Sequence, residues 1–275
     1  MFYLLLTILC SVINSVIIRL SNHKVKNELA MFASNYVVCV LLSFYNLDKS
    51  ISYIFELDVF ILGIVTGFLF IASFFFFKMN IKENGMVLSS TFMKLGIIIP
   101  TLMAILIFKE QPRFTQIFGI LLAILAIIFI NYEKESTSQS NKKWWLILLL
   151  IINGFSDAAA NIFEHISTSS NDIYTLFVFG FALVFTIIAM LNDKQMIYRN
   201  DVFYGIVLAF PNYFSVSFMM LALERIDAIL VYPIYSVGSI IIVTIIGALF
   251  FKEQLSKNKL FALSLILIAL VLLNI

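Results

Sequence analysis

The residue with the clearest capacity for chemistry is Asp157, a single carboxylate inside a long apolar stretch. Asn153 and Asn161 flank it at intervals of four residues, so the three side chains share one face of a helix. A carboxylate at such a position is costly, and charged groups of this kind usually face a cavity and mark the path of an ion or a substrate. The alternative is a structural hydrogen bond between helices. The spacing favours the interpretation that Asp157 takes up a proton or pairs with a cationic substrate.

Lys94 is the only Lys or Arg deep inside another apolar stretch, and Ser90 precedes it by one turn. An unpaired ammonium at that depth is expensive. We expect it to meet a carboxylate, backbone carbonyls or an anionic group of a substrate, with Asp157 as the favoured protein partner. The alternative is that the side chain extends to a helix end, where its ammonium reaches water.

Further candidates are polar, aromatic or proline residues in the other apolar stretches. Ser11 and Asn14 form a polar stripe near the N-terminus. Aromatic rings beside a cavity can hold an ammonium by cation–π attraction, and the candidates are Tyr213, Tyr232 and Tyr235. Proline bends a helix and frees a carbonyl group, so we interpret three prolines as candidate gate elements: Pro100, Pro211 and Pro233.

The composition indicates an integral membrane protein. Hydrophobic residues make up 62% of the 275 residues and charged residues 12%, whereas a soluble domain is close to one quarter charged. The net charge of +2 offers no basic patch for nucleic acid. Cys10 and Cys39 have no metal-ligand or redox spacing. No catalytic or nucleotide-binding motif is present, so we expect neither an enzyme nor a cofactor or metal site.

Ten apolar segments are long enough to cross a bilayer. The sequence therefore predicts an all-α membrane protein with spans at 2–20, 29–46, 57–78, 84–107, 114–132, 144–163, 172–191, 201–222, 228–251 and 258–274. A charged, Ser-rich linker at 133–143 separates five spans at 1–132 from five at 144–275. Gly63 and Gly67 form a GxxxG pair, which predicts close helix packing.

The two halves share a motif. The tetrad FKEQ contains Glu110 in the first half and Glu253 in the second, and the segments 108–131 and 251–274 align without a gap at an offset of 143. At this offset Asn14 corresponds to Asp157. Because each half has an odd number of spans, the copies enter the membrane from opposite sides, which predicts an inverted repeat of the kind common in secondary transporters. Glu110 and Glu253 are interpreted as caps, ion-pair partners or gate elements.

In these features the chain resembles the drug/metabolite transporter superfamily, in its ten-span EamA-type branch. The resemblance rests on a proline-bearing helix, an acid and a final span in each half. It implies a basket-shaped bundle whose first, third and fourth helices of each repeat line a central cavity. The small multidrug resistance relatives carry an acid in their first helix, and Asp157, in the first helix of the second repeat, resembles that acid. Asn14 in the first repeat leaves one titratable site.

The resemblance implies a secondary transporter, an exporter or an exchanger, that moves small polar or amphipathic metabolites by alternating access. Its partners would be a small-molecule substrate, with or without a coupled proton, and the lipid bilayer of the cell membrane, and the chain would act as a monomer or homodimer. The alternatives are a flippase for lipid-linked sugars or amines, and a non-transporting scaffold or receptor. A scaffold would not need buried charges such as Asp157 and Lys94.

The orientation stays open. Alternate loops hold 13 and 4 of the 18 Lys and Arg residues. Positive charge favours cytoplasmic loops, so this distribution predicts that both termini lie outside, whereas the resemblance implies that both lie inside.

Overall fold

A computed structural model describes residues 1–47, 57–99, 143–166, 170–192, 195–223, 228–253 and 257–273, together with Arg225 and short pieces between 102 and 125. Pro100, Glu110 and the linker up to residue 142 lie outside the described residues, as does most of the fifth predicted span. Some side chains within the helices are also outside the description, including those of Asn161, Tyr232 and Pro233.

Every regular element in the described ranges is helical. The helices are α1 (Phe2–Ser21), α2 (Glu28–Asn46), α3 (Leu57–Asn84), α4 (Met86–Leu95), α5 (Trp144–Ile166), α6 (Asn171–Asn192), α7 (Arg199–Leu223), α8 (Ala228–Leu249) and α9 (Lys257–Leu273). Within these ranges, α1, α2, α3, α6 and α7 are each long and apolar enough to cross a membrane, and shorter apolar helical stretches lie in α4, α5, α8 and α9. The chain is a multi-pass integral membrane protein.

The helices have one apolar outer face and one packed inner face. On α1, Leu5, Leu9 and Ile13 follow a four-residue spacing and are about half exposed, whereas Thr7 and Asn14 on the other side are buried. Exposed apolar side chains of this kind suit contact with lipid. The helix also satisfies its own backbone hydrogen bonds, so it needs no water on this face. The polar side chains are thereby directed to the interior of the bundle.

The main helix contacts join the two halves of the sequence. α1 and α2 pack on α7, α2 also packs on α6, α3 packs on α5 and α6, α4 packs on α5, and α1 packs on α8. The GxxxG pair acts as the sequence predicts. A Cβ atom at Gly63 would lie 2.6 Å from the Phe177 Cβ, and one at Gly67 would lie 2.8 Å from the Phe181 Cβ, both on α6.

The third and fourth helices differ from the predicted spans. α3 continues to Asn84, six residues beyond the predicted end, and within this extension Asn80 donates hydrogen bonds to the carbonyl groups of Phe76 and Trp145. Lys78, predicted at a span end, is therefore inside the helix and only 1% exposed.

The predicted span 84–107 is interrupted in its described part. α4 ends at Leu95 and a turn follows at Gly96 and Ile97. Gly96 lies directly against α5, where a Cβ atom would be 2.8 Å from the Gly154 nitrogen. The backbones of α4 and α5 therefore approach closely at this turn. Such breaks within a membrane helix occur where the backbone is buried in protein or lines a cavity.

Candidate functional site

A cavity of about 220 Å³ lies inside the bundle. It is lined by residues from α1, α3, α4, α5, α7 and α8, which correspond to the six helices that the resemblance implies, and also by residues of α6. Seven candidate residues from the sequence contribute to its wall: Ser11, Asn14, Ser90, Lys94, Asn153, Asp157 and Tyr235.

The Asp157 carboxylate is held by its neighbour on the same helix. The Asn153 side-chain NH₂ donates to the Asp157 Oδ2 at 3.0 Å and to the Met93 carbonyl oxygen, on α4, at 3.1 Å. The Asn153 carbonyl oxygen accepts from the Ser73 hydroxyl, on α3, at 3.3 Å. Asn153 thus joins three helices and fixes the orientation of the carboxylate. The approach of Gly96 to Gly154 brings α4 within reach of this amide.

Lys94 lies in the last turn of α4, beside the break in the helix. Its ammonium nitrogen is 3.7 Å from the centroid of the Tyr235 ring, on α8. No carboxylate oxygen of the described residues is within 4.0 Å of it. The expected partner, Asp157, shares the cavity wall but forms no ion pair of that length. The face of the ring stabilises the ammonium instead.

The wall formed by α1, α4 and α8 is largely polar and buried. The Ser90 hydroxyl donates to the Ser15 hydroxyl at 3.2 Å. Asn14 is 8% exposed and Ser239 is 2% exposed, and both line the cavity. The Asn14 Oδ1 and the Ser239 hydroxyl have no hydrogen-bond partner in the described structure. Both atoms are themselves buried, so they are unpartnered polar groups within the wall rather than on its surface.

Sequence reasoning expected α3 at the cavity but named none of its residues, and it missed the contribution of α6. Thr66 and Ser73 line the cavity from α3, and Tyr174 and Thr175 line it from α6. The Thr66 hydroxyl and the Tyr174 hydroxyl are 2.9 Å apart and form a hydrogen bond. The signal in α3 was a seven-residue spacing of Thr66, Ser73 and Asn80 within a Phe-rich helix, since this spacing places them on one face.

Other candidate residues have different positions. Tyr213 packs in the core, with its ring centroid 6.3 Å from that of Phe179, rather than on the cavity wall. The preceding residue, Asn212, lines the cavity, because successive helical residues point in different directions. Pro211 lies inside α7, next to Asn212. Asn161, Tyr232, Pro233, Pro100 and Glu110 have no described side chain.

Glu253 caps the first turn of α4. Its carboxylate accepts from the backbone N–H of Met86 at 2.7 Å and of Val87 at 3.2 Å, and the Arg19 Nε lies 3.9 Å away. Gly85 precedes the helix at φ 86°, in the left-handed region that favours glycine, and a Cβ atom there would lie 3.1 Å from the Glu253 Oε2. The acid of the second FKEQ motif therefore joins the α8–α9 connection to α4 and α1.

A second polar cluster lies at the same end of the bundle. The Lys78 ammonium is 3.6 Å from the Glu28 Oε1. Asp201 is fully buried and accepts from the backbone N–H groups of Lys26 and Tyr198, both at 2.9 Å. In this cluster each buried charge faces a charge or a hydrogen-bond donor of the protein.

Comparison with known proteins agrees with the membrane assignment. Residues 173–266, which span most of α6–α9, match the model of the family described as Small Multidrug Resistance protein. Asp157 lies outside this match. The chain is 28% identical to an uncharacterized protein of Haemophilus influenzae, over 92% of this chain and 91% of that protein. It is 36% identical to the uncharacterized membrane protein YvaE of Bacillus subtilis, over 22% of this chain and 51% of that protein.

A crystal structure of another protein shows the same fold. The TM-score is 0.66, the sequence identity is 12%, and the alignment covers 98% of this chain and 94% of the other. The chain is therefore a multi-pass integral membrane protein with the fold of that structure, and its residues 173–266 are similar to the small multidrug resistance proteins.

Proposed function

We propose that this chain is a secondary transporter, an exporter or an exchanger, that moves a small polar or amphipathic molecule by alternating access. The observation that carries the proposal is the polar cavity, with Asp157 and Lys94 in its wall, inside a bundle whose outer face is apolar. Buried charges are expensive in a membrane protein and mark substrate or ion pathways. A scaffold gains nothing from them. The similarity of residues 173–266 to small multidrug resistance proteins supports a transport role.

The architecture that we propose is ten spans in two inverted repeats, 1–132 and 144–275, as in the EamA-type branch. The pattern of helix contacts supports it. If α1–α4 correspond to α5–α8 in order, the contact of α1 with α7 is equivalent to that of α3 with α5, and the contact of α2 with α7 is equivalent to that of α3 with α6. A structure with repeats related by an axis along the membrane normal, or with unequal numbers of spans per half, would contradict this architecture.

Alternating access requires that contacts between the halves can separate, and several such contacts cluster at one end of the bundle. Arg19 faces Glu253, the Asp201 carboxylate accepts from the Lys26 N–H, and Asn80 donates to the Trp145 carbonyl oxygen at 2.9 Å. All of them lie at the end where α1 and α3 finish. In the proposed cycle these contacts close the cavity at this end and break when it opens there.

Proteoliposome uptake tests the function. The purified chain would be reconstituted and offered a panel of radiolabelled amino acids, amines, nucleosides and sugars, with and without a pH gradient. We expect one chemical class to enter faster than in protein-free vesicles, and the Asp157→Asn protein to lose that uptake. Uptake no faster than in protein-free vesicles for every compound under every gradient would contradict the proposal.

A further inference from the structure

The cavity wall holds two opposite charges that the protein keeps apart. Asp157 is on α5 and Lys94 is on α4, and the two helices touch where Gly96 meets Gly154. Asn153 bridges the Asp157 carboxylate and the carbonyl oxygen of Met93, the residue next to Lys94. The two charged residues are therefore close along the wall, yet no N···O distance of 4.0 Å or less joins them.

Neither charge is fully satisfied by the described residues. Lys94 carries three N–H donors, and its contact in the described structure is with the face of the Tyr235 ring, which accepts no conventional hydrogen bond. The Asp157 carboxylate accepts a hydrogen bond at one oxygen from the neutral amide of Asn153. An ionised carboxylate has about four acceptor positions. Both groups thus retain capacity for a ligand with charges of the opposite sign.

Two further polar residues, Asn14 and Ser239, line the cavity from α1 and α8 and are more than nine-tenths buried. The Asn14 Oδ1 and the Ser239 hydroxyl oxygen have no partner in the described structure. Buried polar atoms in native proteins are nearly always hydrogen-bonded, to protein, water or ligand. These residues add polar character to the wall that α1 and α8 form.

Part of the wall is apolar and the space is small. Phe74, Phe77, Met93, Phe179 and Met219 contribute rings and thioethers. The volume of about 220 Å³ is below the roughly 300–1,000 Å³ that is common for pockets that hold drug-sized ligands. The cavity therefore suits a molecule of metabolite size with an apolar body.

We propose that the ligand of this cavity is a small zwitterion, in which an ammonium group pairs with Asp157, a carboxylate group pairs with Lys94, and an apolar body lies against the aromatic wall. The inference rests on the proposed function and specifies its substrate class. A ligand with only a positive charge leaves Lys94 without a partner and is repelled by it. A ligand with only a negative charge leaves Asp157 without a partner and is repelled by its carboxylate. A zwitterion satisfies both groups and enters without net charge.

Matched triplets of ligands test the inference by binding in detergent, independently of transport. The triplets are leucine, leucinamide and 4-methylpentanoate, and phenylalanine, phenylalaninamide and 3-phenylpropionate. We expect at least one zwitterion to bind about tenfold or more tightly than both of its singly charged analogues, since loss of one buried charge partner costs at least that factor. Equal or tighter binding of a singly charged analogue, or no binding by any of the six compounds, would overturn the inference.

Two variants assign the ends of the ligand. Lys94→Gln should remove the advantage of the zwitterion over the amide, and Asp157→Asn should remove its advantage over the deaminated acid. The matched controls, Lys24→Gln and Asp58→Asn, change exposed residues and should keep both advantages. If both cavity variants keep the order of affinities of the unchanged protein, the assignment is wrong. Zwitterion binding without uptake in proteoliposomes would instead contradict the transport function and leave the ligand class standing.

Discussion

Lys78 and Lys94 are lysines on adjacent helices with opposite surroundings. Lys78, near the end of α3, is 1% exposed, and its ammonium forms an ion pair with the Glu28 carboxylate at 3.6 Å but has no hydrogen-bond partner among the described residues. Lys94, at the break of α4, is partly exposed to the cavity, and its ammonium rests on the Tyr235 ring. The more deeply buried lysine is thus the one with a protein counter-ion.

The same difference separates the two regions that contain them. At the end of the bundle, Glu253 accepts two backbone N–H groups and faces Arg19, and Asp201 accepts two further N–H groups. In the cavity, Asp157 and Lys94 form no ion pair with a described residue. The comparison teaches that burial alone does not identify a functional charge in a membrane protein. A buried charge with a counter-ion or hydrogen-bond donors from the protein holds helices together, whereas one without a counter-ion in a cavity is available to a ligand.

Asp157→Asn should have the largest effect on function. The substitution keeps the shape of the side chain, removes the charge, and makes the two repeats alike at this position. We expect a folded protein that has lost coupled transport, because the carboxylate no longer takes up a proton or pairs with an ammonium group. Substrate flux against pH for both proteins measures this. An unchanged rate and pH profile would return Asp157 to a purely structural role, and Asp58→Asn is the control.

Lys94→Met should come next. It removes the cavity ammonium and keeps a side chain of similar length. We expect transport to fall by about tenfold or more, because the ligand loses a charged partner in a site shielded from water, while gel filtration shows a folded protein. Normal uptake by a well-folded Lys94→Met protein would mean that this lysine is not part of the site. The lack of a protein counter-ion at Lys94 would then not mark it as functional.

Glu253→Ala should lower stability rather than affinity. The variant removes two hydrogen bonds at the start of α4 and the partner of Arg19, which we expect to cost about 2 kcal/mol of the free energy of unfolding. Unfolding in mixed micelles with increasing sodium dodecyl sulfate measures the change. The control Asp58→Ala removes an exposed acid from the first turn of α3 and should cost less than about 1 kcal/mol. Equal stability of the two variants would contradict the capping role of Glu253.

Lys78→Met should have the smallest effect and is the direct counterpart of Lys94→Met. The Glu28 side chain is 35% exposed, so water can solvate its carboxylate after the ammonium is gone. We expect a change in the free energy of unfolding within about 1 kcal/mol, and uptake equal to that of the unchanged protein. If Lys78→Met abolished uptake in a folded protein, the conclusion that the Lys78–Glu28 pair is not part of the substrate site would be wrong.

Local sequence patterns determined much of this protein. Apolar segments of membrane length located the described helices to within a few residues, apart from the ends of α3 and α4, because such segments must form helices to satisfy their backbone in lipid. The four-residue spacing of Asn153 and Asp157 placed them on one face, and the hydrogen bond between them follows directly from it. The glycine spacing of Gly63 and Gly67 likewise identified a close helix contact.

Only the tertiary structure decided which distant residues meet. The Lys94 ammonium meets the ring of Tyr235 rather than the carboxylate of Asp157, Glu253 caps a helix 167 residues earlier in the chain, and α6 contributes Tyr174 and Thr175 to the cavity. Lipid is as apolar as a protein core, so hydrophobic periodicity does not distinguish a face that packs on another helix from one that faces the bilayer. Helix pairing depends instead on close approaches such as Gly96 with Gly154, and on buried polar contacts. These close approaches and polar contacts form only when the whole bundle is assembled, so local sequence patterns do not predict them.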